Sequence, residues 1–183
     1  MLESKINHSV IRLQKDDLTA MDIEAIVHYA RPDLVLGAGF GSAIAARGGM
    51  GIQDELKPFG TVSVTDVVVT SAGQLNSEYI IHAVGPRFQE LSIEDKLRLT
   101  VKNTLKAAEE KGIKRIAFPP MGTGFYGIPL DLCAQVMFEV ITEYVSKESS
   151  IEEIVICVLD NREFRVFQNE WESSKILGEH IYE

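Results

Sequence analysis

Residues 115–129 read RIAFPPMGTGFYGIP. RIAF (115–118) is short, mostly apolar and β-prone, and two prolines stop it at once. Glycines 122, 124 and 127 follow, and a helical pattern starts at about residue 130. A buried strand that opens into a glycine-rich loop and then a helix is the local signature of an α/β fold.

The pattern extends in both directions. Residues 130–147 predict a helix with Cys133, Val136, Met137, Val140, Ile141 and Tyr144 on its apolar side. IEEIVICVL (151–159) predicts a strand, and Phe164, Phe167 and Trp171 predict a last helix over 162–176. Before RIAF, a helix is expected from Ser92 to about Lys111, with Leu97, Val101, Leu105 and Ala108 on one face. Ser92 and Asp95 would form a capping box, and Gly112 a left-handed stop. YIIHAV (79–84) is apolar throughout, as a strand covered on both faces would be. The first half offers strands at HSVIRLQ (8–14) and IEAIVH (23–28), and short helices at SAIAARGG and IQDELKPFG. VSVTDVVV (62–69) reads as a strand pair or one bent strand. Alternating strands and helices favour parallel pairing with helices on both faces. With no repeat, linker or low-complexity tract, the expectation is one three-layer α/β/α domain over residues 1–183.

Composition narrows the function. The chain has 183 residues, 45% apolar and 25% charged, which is ordinary for a globular protein. No apolar run approaches a membrane span, and MLESKINHSV has no signal-peptide core. A cytoplasmic protein with no membrane partner is expected. A formal net charge of −9 argues against nucleic acid as a partner. Cys133 and Cys157 are expected to be buried and reduced, although spacing alone leaves a pair between them open. No Cys-x-x-Cys or His-x-x-x-His spacing supports a metal.

Two glycine loops carry the chemistry: GAGFGSAI (37–44) and PPMGTGFYGIP (119–129). Glycine lets backbone N–H groups turn towards a ligand, and successive N–H groups make an anion cradle. A following helix adds free N–H groups and its dipole. Two such loops facing one another could hold a diphosphate, whereas either alone could be a tight strand–helix turn. GTGFYG (122–127) matches Gly-x-Gly-x-x-Gly, but no acidic residue ends a strand some 20 positions on, and Pro129 follows at once. No Gly-Lys-Ser/Thr is present, so a Walker loop is excluded.

Other candidates have two readings each. Asp17 could read an adenine amino group or a ribose hydroxyl, or cap a turn. Phe125 and Tyr126 could cover a ribose or base, or belong to the core. His28 could be catalytic or a local hydrogen-bonding residue, and His82 reads as a satisfied buried histidine. Arg31, near Tyr29 at the lip of the first loop, could touch phosphate or face solvent.

These residues resemble the macrodomain family of ADP-ribose-binding proteins. The matching segments are DLT (17–19), IEAIV (23–27), GAGFGSAI (37–44), YIIHAVGP (79–86) and IAFPPMGTGFYGIP (116–129), in the family's order and spacing. The resemblance covers about residues 8–175. It implies a mixed sheet of six or seven strands between helices. It implies Asp17 and Leu18 near adenine, Gly39, Phe40 and Gly41 in the first diphosphate loop, and Gly122, Thr123, Gly124, Phe125 and Tyr126 in the second. It places Asn161 near the base, and it implies no cofactor.

One departure stands out. Many members that remove ADP-ribose carry Asn-Ala-Ala-Asn where this chain has His28-Tyr29-Ala30-Arg31. The asparagine that holds the distal ribose in those members aligns with Arg31. An amide both donates and accepts over a short reach, whereas a guanidinium only donates and is longer. The VHYA segment and GSAIAARGG look closest to the histone-variant macrodomain branch, which is associated with binding. The leading expectation is a binding module for ADP-ribose, a related metabolite or an ADP-ribosylated protein. The alternatives are a hydrolase acting on ADP-ribosylated acidic side chains or on O-acetyl-ADP-ribose, and a scaffold with a vestigial pocket.

Overall fold

The computed structural model describes residues 1–147 and 149–174. Seven strands make one sheet: β1 (Leu2–Ile6), β2 (Ser9–Lys15), β3 (Ala25–Tyr29), β4 (Val67–Ser71), β5 (Tyr79–Ala83), β6 (Arg115–Phe118) and β7 (Glu153–Val158). Their order is β1-β2-β7-β6-β3-β5-β4. The five inner strands are mutually parallel, and the edge strands β1 and β4 run antiparallel to their neighbours. This is the mixed α/β sheet expected from sequence. Every residue of β3 is buried, as the continuous apolar runs of inner strands require.

Two helices, α1 (Phe40–Gly48) and α2 (Gly51–Leu56), carry Ile44, Ile52 and Leu56 into a core with Ile26, Ile80 and Val155. On the other face α3 (Ile93–Lys111), α4 (Leu130–Ser146) and α5 (Asn161–Ser173) share a larger core. There Phe138 meets Phe167 and Trp171 edge-to-face, each at 5.7 Å between ring centroids. Such pairs add about 0.5–1.5 kcal/mol each beyond the area they bury. The apolar stripe Leu97, Val101, Leu105 and Ala108 is fully buried, and Gly112 closes α3 in the left-handed conformation. No helix among the described residues is long and apolar enough to cross a membrane.

The structure departs from the sequence reading in four places. LESKI, too charged to signal a strand, forms β1 because a two-residue turn at Asn7 and His8 folds it onto β2. Asn7 takes a φ of 54°, which asparagine tolerates in such hairpins. Residues 62–66 are not strand: Asp66 closes a turn by accepting from the Ser63 N–H at 2.9 Å, so only Val67–Ser71 pairs. Ser92 does not cap α3 with its side chain, since it sits at φ 57° and ψ 40° and its hydroxyl makes no cap bond. The last helix starts one residue early, where the Asp160 carboxylate accepts from the Glu163 N–H at 2.8 Å. The expected end of that helix at 175–176 lies outside the described residues.

Because β2, β7, β6, β3 and β5 are parallel, the chain leaves all five at one edge of the sheet. Both glycine loops and the Asp17 segment therefore lie along that edge, which is where ligands bind in open α/β sheets.

Candidate functional site

A cavity of about 580 Å³ opens at this edge. The loop after β3 forms one wall with Arg31, Val35 and Ala38–Gly41, and the loop after β6 forms the other with Pro119, Pro120, Gly122 and Gly124–Tyr126. His28, Tyr29 and Arg87 complete the lining.

The first wall turns at Gly39, whose φ of 54° and ψ of −128° strain any residue with a Cβ. Gly39 is also the N-cap of α1, so the free N–H groups of that helix start beside the cavity. The second wall closes on itself: Ile128 N–H donates to Gly122 O at 3.0 Å and Gly127 N–H to Gly124 O at 3.1 Å. Gly122 has a φ of 75°, and a Cβ there would lie 2.7 Å from Ile128 Cγ1 and 2.9 Å from Tyr29 Cζ. Gly124 is the opposite case, with nothing within 4 Å of a Cβ position.

Tyr29, at the end of β3, joins the loops. Its hydroxyl donates to Pro86 O, and its ring meets Tyr126 edge-to-face at 4.9 Å. Burial pushes the phenol far above its ordinary value, so it stays protonated. The Arg87 guanidinium lies 5.8 Å from the Tyr126 ring centroid, a cation–π distance. Arg31 pairs with Asp33 at 2.6 Å, both side chains being about half exposed. Among the described residues, the only charged side chains lining the cavity are Arg31 and Arg87, within a chain of net charge −9.

Beneath the first wall, His28 Nδ1 lies 3.0 Å from His82 Nδ1, and His82 Nε2 lies 2.9 Å from Thr70 Oγ1. Burial pushes His28 down to about 4. Burial, and then the neighbouring His28, hold His82 well below the usual histidine range. Both rings are neutral at neutral pH.

Nine sequence candidates meet at the cavity: His28, Arg31, Gly39, Phe40, Gly41, Gly122, Gly124, Phe125 and Tyr126. Phe125 stands at the mouth and is 90% exposed. Thr123 lies between lining residues, and its hydroxyl is 3.4 Å from Pro120 O. Asp17 and Leu18 sit apart on a short 3-10 turn after β2, where Leu18 is buried. The Asp17 carboxylate accepts from the Thr19 N–H and hydroxyl and pairs with Arg47 at 2.6 Å. The Thr19 hydrogen bond, followed by that from Arg47, lowers its pKa. The capping reading of Asp17 therefore holds, while its side chain remains 45% exposed. Asn161 opens α5, and its side-chain oxygen accepts from Lys15 Nζ at 2.9 Å. Both cysteines are free and buried.

Sequence reasoning missed Arg87, Arg47, Val35 and the two prolines. Arg87 had a usable signal, because it follows Gly-Pro directly at the end of a buried strand. Arg47 had none, since its partner Asp17 is 30 positions away.

Comparison with known proteins agrees with this architecture. The Macro domain family model matches residues 27–137. An uncharacterised protein of Saccharolobus solfataricus is 39% identical over 163 residues, covering 87% of this chain and 90% of its own. A Macro domain-containing protein of Caldanaerobacter subterraneus subsp. tengcongensis is 33% identical over 168 residues, covering 88% and 95%. Among solved structures, the Oceanobacillus iheyensis macrodomain with ADP superposes with a TM-score of 0.86 at 23% identity, over 94% of this chain and 95% of that one. The Trypanosoma brucei macrodomain in complex with ADP-ribose gives 0.82 at 23% identity, over 87% and 68%. At that identity the structural likeness speaks for the fold, and the sequence match speaks for the family. The chain belongs to the Macro domain family.

Proposed function

We propose that this chain is a binding module for ADP-ribose, for a related ADP-ribosyl metabolite or for ADP-ribose attached to protein. One observation carries the reading: two glycine loops face one cavity whose charged lining side chains, among the described residues, are both arginines. In a chain of net charge −9, an anionic ligand needs such local donors. The complexes solved for two macrodomains of the same fold, one with ADP and one with ADP-ribose, support the ligand class.

In this reading Gly39, Phe40 and Gly41 face the diphosphate from one side, and Gly122 and Gly124 from the other, with Thr123 in the loop between them. Asp17, Leu18 and Asn161 take the adenine end, and Phe125 and Tyr126 cover a ribose. Arg31 and Arg87 supply charge at the opposite end. The chain acts as one domain over residues 1–183, in the cytoplasm. VHYA (27–30) and GSAIAARGG (41–49) support a place beside the histone-variant branch.

Binding is favoured over turnover by the lining groups. No carboxylate lines the cavity among the described residues. His28, pushed down to about 4, is a weak proton acceptor for catalysis at neutral pH. Isothermal titration with ADP-ribose, ADP and NAD tests the proposal. Micromolar binding that prefers ADP-ribose supports it, and no heat at millimolar ligand sinks it.

A further inference from the structure

A chain of polar side chains runs from the cavity floor into the sheet, and its protons can be counted. Thr70 Oγ1 lies 2.9 Å from the Ser71 carbonyl oxygen and 2.9 Å from His82 Nε2. A carbonyl only accepts, so the single hydroxyl proton of Thr70 goes to Ser71 O. Thr70 then accepts from the ring, and His82 Nε2 holds a proton. A neutral imidazole carries one N–H, so His82 Nδ1 is bare. The facing His28 Nδ1, 3.0 Å away, must supply the one proton between the rings. His28 is neutral in turn, and its Nε2 is left with a lone pair.

That atom lies on a ring that lines the cavity. A Cβ placed on Gly41 of the first loop would lie 3.3 Å from it. The only hydrogen bond of the His28 ring among the described residues is the one at Nδ1. Nε2 is nevertheless not a fully buried atom without a partner; among the described side chains only Ser4 Oγ is. Cavity solvent, or a ligand, is what it meets.

The polarity is the informative feature. Arg31 and Arg87 only donate, and the loops offer N–H groups, all of which suit phosphate oxygens. A lone pair in the same wall repels a phosphate oxygen and attracts a hydroxyl. Position narrows the choice of hydroxyl. Asp17 follows β2, and β7 and β6 separate β2 from β3. Three strand spacings put His28 about 14 Å along the sheet edge from the Asp17 end. An adenine held near Asp17 leaves the other sugar of the ligand near His28.

We propose that His28 Nε2 accepts a hydrogen bond from a hydroxyl of the adenine-distal sugar, and so separates an ADP-ribosyl ligand from ADP. His82 and Thr70 are positioning residues that hold His28 in the accepting tautomer. The inference rests on the proposed ADP-ribose reading.

The test uses the wild-type protein labelled with 15N-histidine, with His28 and His82 assigned from single glutamine variants. Long-range 1H–15N correlation reports which ring nitrogen is protonated. His28 Nε2 is expected to give a pyridine-type shift in the free protein. Saturation with ADP-ribose should move it towards the hydrogen-bonded range, and saturation with ADP should not. In calorimetry His28→Phe, which keeps a ring and loses the acceptor, should weaken ADP-ribose about three- to tenfold and ADP less than twofold. Thr70→Val should mix the tautomers, and Thr70→Ser should preserve the wild-type spectrum. A pyrrole-type Nε2, or equal shifts with both nucleotides, overturns the contact while leaving nucleotide binding standing. An unchanged tautomer in Thr70→Val overturns the positioning role. Failure of both nucleotides to bind overturns the functional reading and this contact with it.

Discussion

Gly124→Glu separates the fold from the proposed site. A Cβ at 124 meets nothing within 4 Å, and the backbone there is outside the left-handed region. The substitution should therefore leave stability within about 0.5 kcal/mol, as at an ordinary surface position. The new carboxylate joins the lining of a cavity proposed to hold a diphosphate, and a separation of roughly 5 Å between the charges serves to work the repulsion. At an effective dielectric constant between about 20 and 80, repulsion at that distance is ~0.8–3.3 kcal/mol per phosphate charge. Two charges give ~2–7 kcal/mol, and pairing of the glutamate with Arg31 or Arg87 pulls the value to the lower end. A loss of at least about thirtyfold in ADP-ribose affinity follows. Gly124→Gln has nearly the same shape without the charge and isolates the steric part. Calorimetry at low and high salt, with urea unfolding as the control, measures both. The Glu variant should lose more than the Gln variant, and the gap should narrow as salt screens it. Unchanged affinity in Gly124→Glu, with the fold intact, would refute the placement of the diphosphate. Equal losses in Glu and Gln would refute the electrostatic argument.

Three further outcomes are expected. In Gly85→Ala the new Cβ would lie 2.2 Å from the Tyr29 ring and hydroxyl, so Tyr29 must move; a loss of about 1–3 kcal/mol in urea unfolding is expected, and an unchanged midpoint would contradict the packing. Asp17→Ala should weaken ADP-ribose more than ribose 5-phosphate, which lacks adenine, whereas equal losses in calorimetry would leave Asp17 only its capping role. Stability should fall with acidification below pH 6.5, because the unfolded chain protonates a histidine that the fold holds neutral down to about 4; the His28 share is complete above pH 6.5, is lost by about pH 4 and amounts to ~3 kcal/mol, so His28→Gln should flatten the pH dependence of the urea midpoint between pH 7 and 5, and an unflattened profile would count against it.

The legible parts of the fold were those where one physical signal dominated. Buried inner strands such as YIIHA and RIAF announce themselves because both faces are covered. The stripe on α3 and the stop at Gly112 depend on helical spacing and one backbone conformation, both local. What escaped depends on partners distant in sequence or on turn geometry. β1 exists because β2 is there to pair with it, and LESKI has no apolar alternation of its own to reveal that. Ser92 and Asp95 matched a capping spacing, but the serine backbone is left-handed, which no spacing reveals. The glycine loops were readable as loops; which of their residues face the cavity was not. Thr123 and Gly124 are adjacent, yet only Gly124 lines it.

The segment His28–Arg31 could be read from sequence only as a substitution for an asparagine motif. In the structure its four residues have separate tasks. His28 connects the cavity to His82 and Thr70. Tyr29 fills the space left by Gly85 and Gly122 and hydrogen-bonds Pro86, so the loops after β5 and β6 are held in register by one ring. Ala30 extends the parallel pairing of β3 with β5 through its N–H to Ala83 O at 2.8 Å. Arg31 is about half exposed, and its side chain pairs with the nearby Asp33. Three of the four positions are thus tied to β5 and the second loop, and a change at Tyr29 or Ala30 disturbs packing first. Arg31 lines the cavity from outside that packing. An exchange of Arg31 for asparagine leaves these three positions and their contacts in place. The ring of Tyr29 and the histidine chain already define the cavity floor.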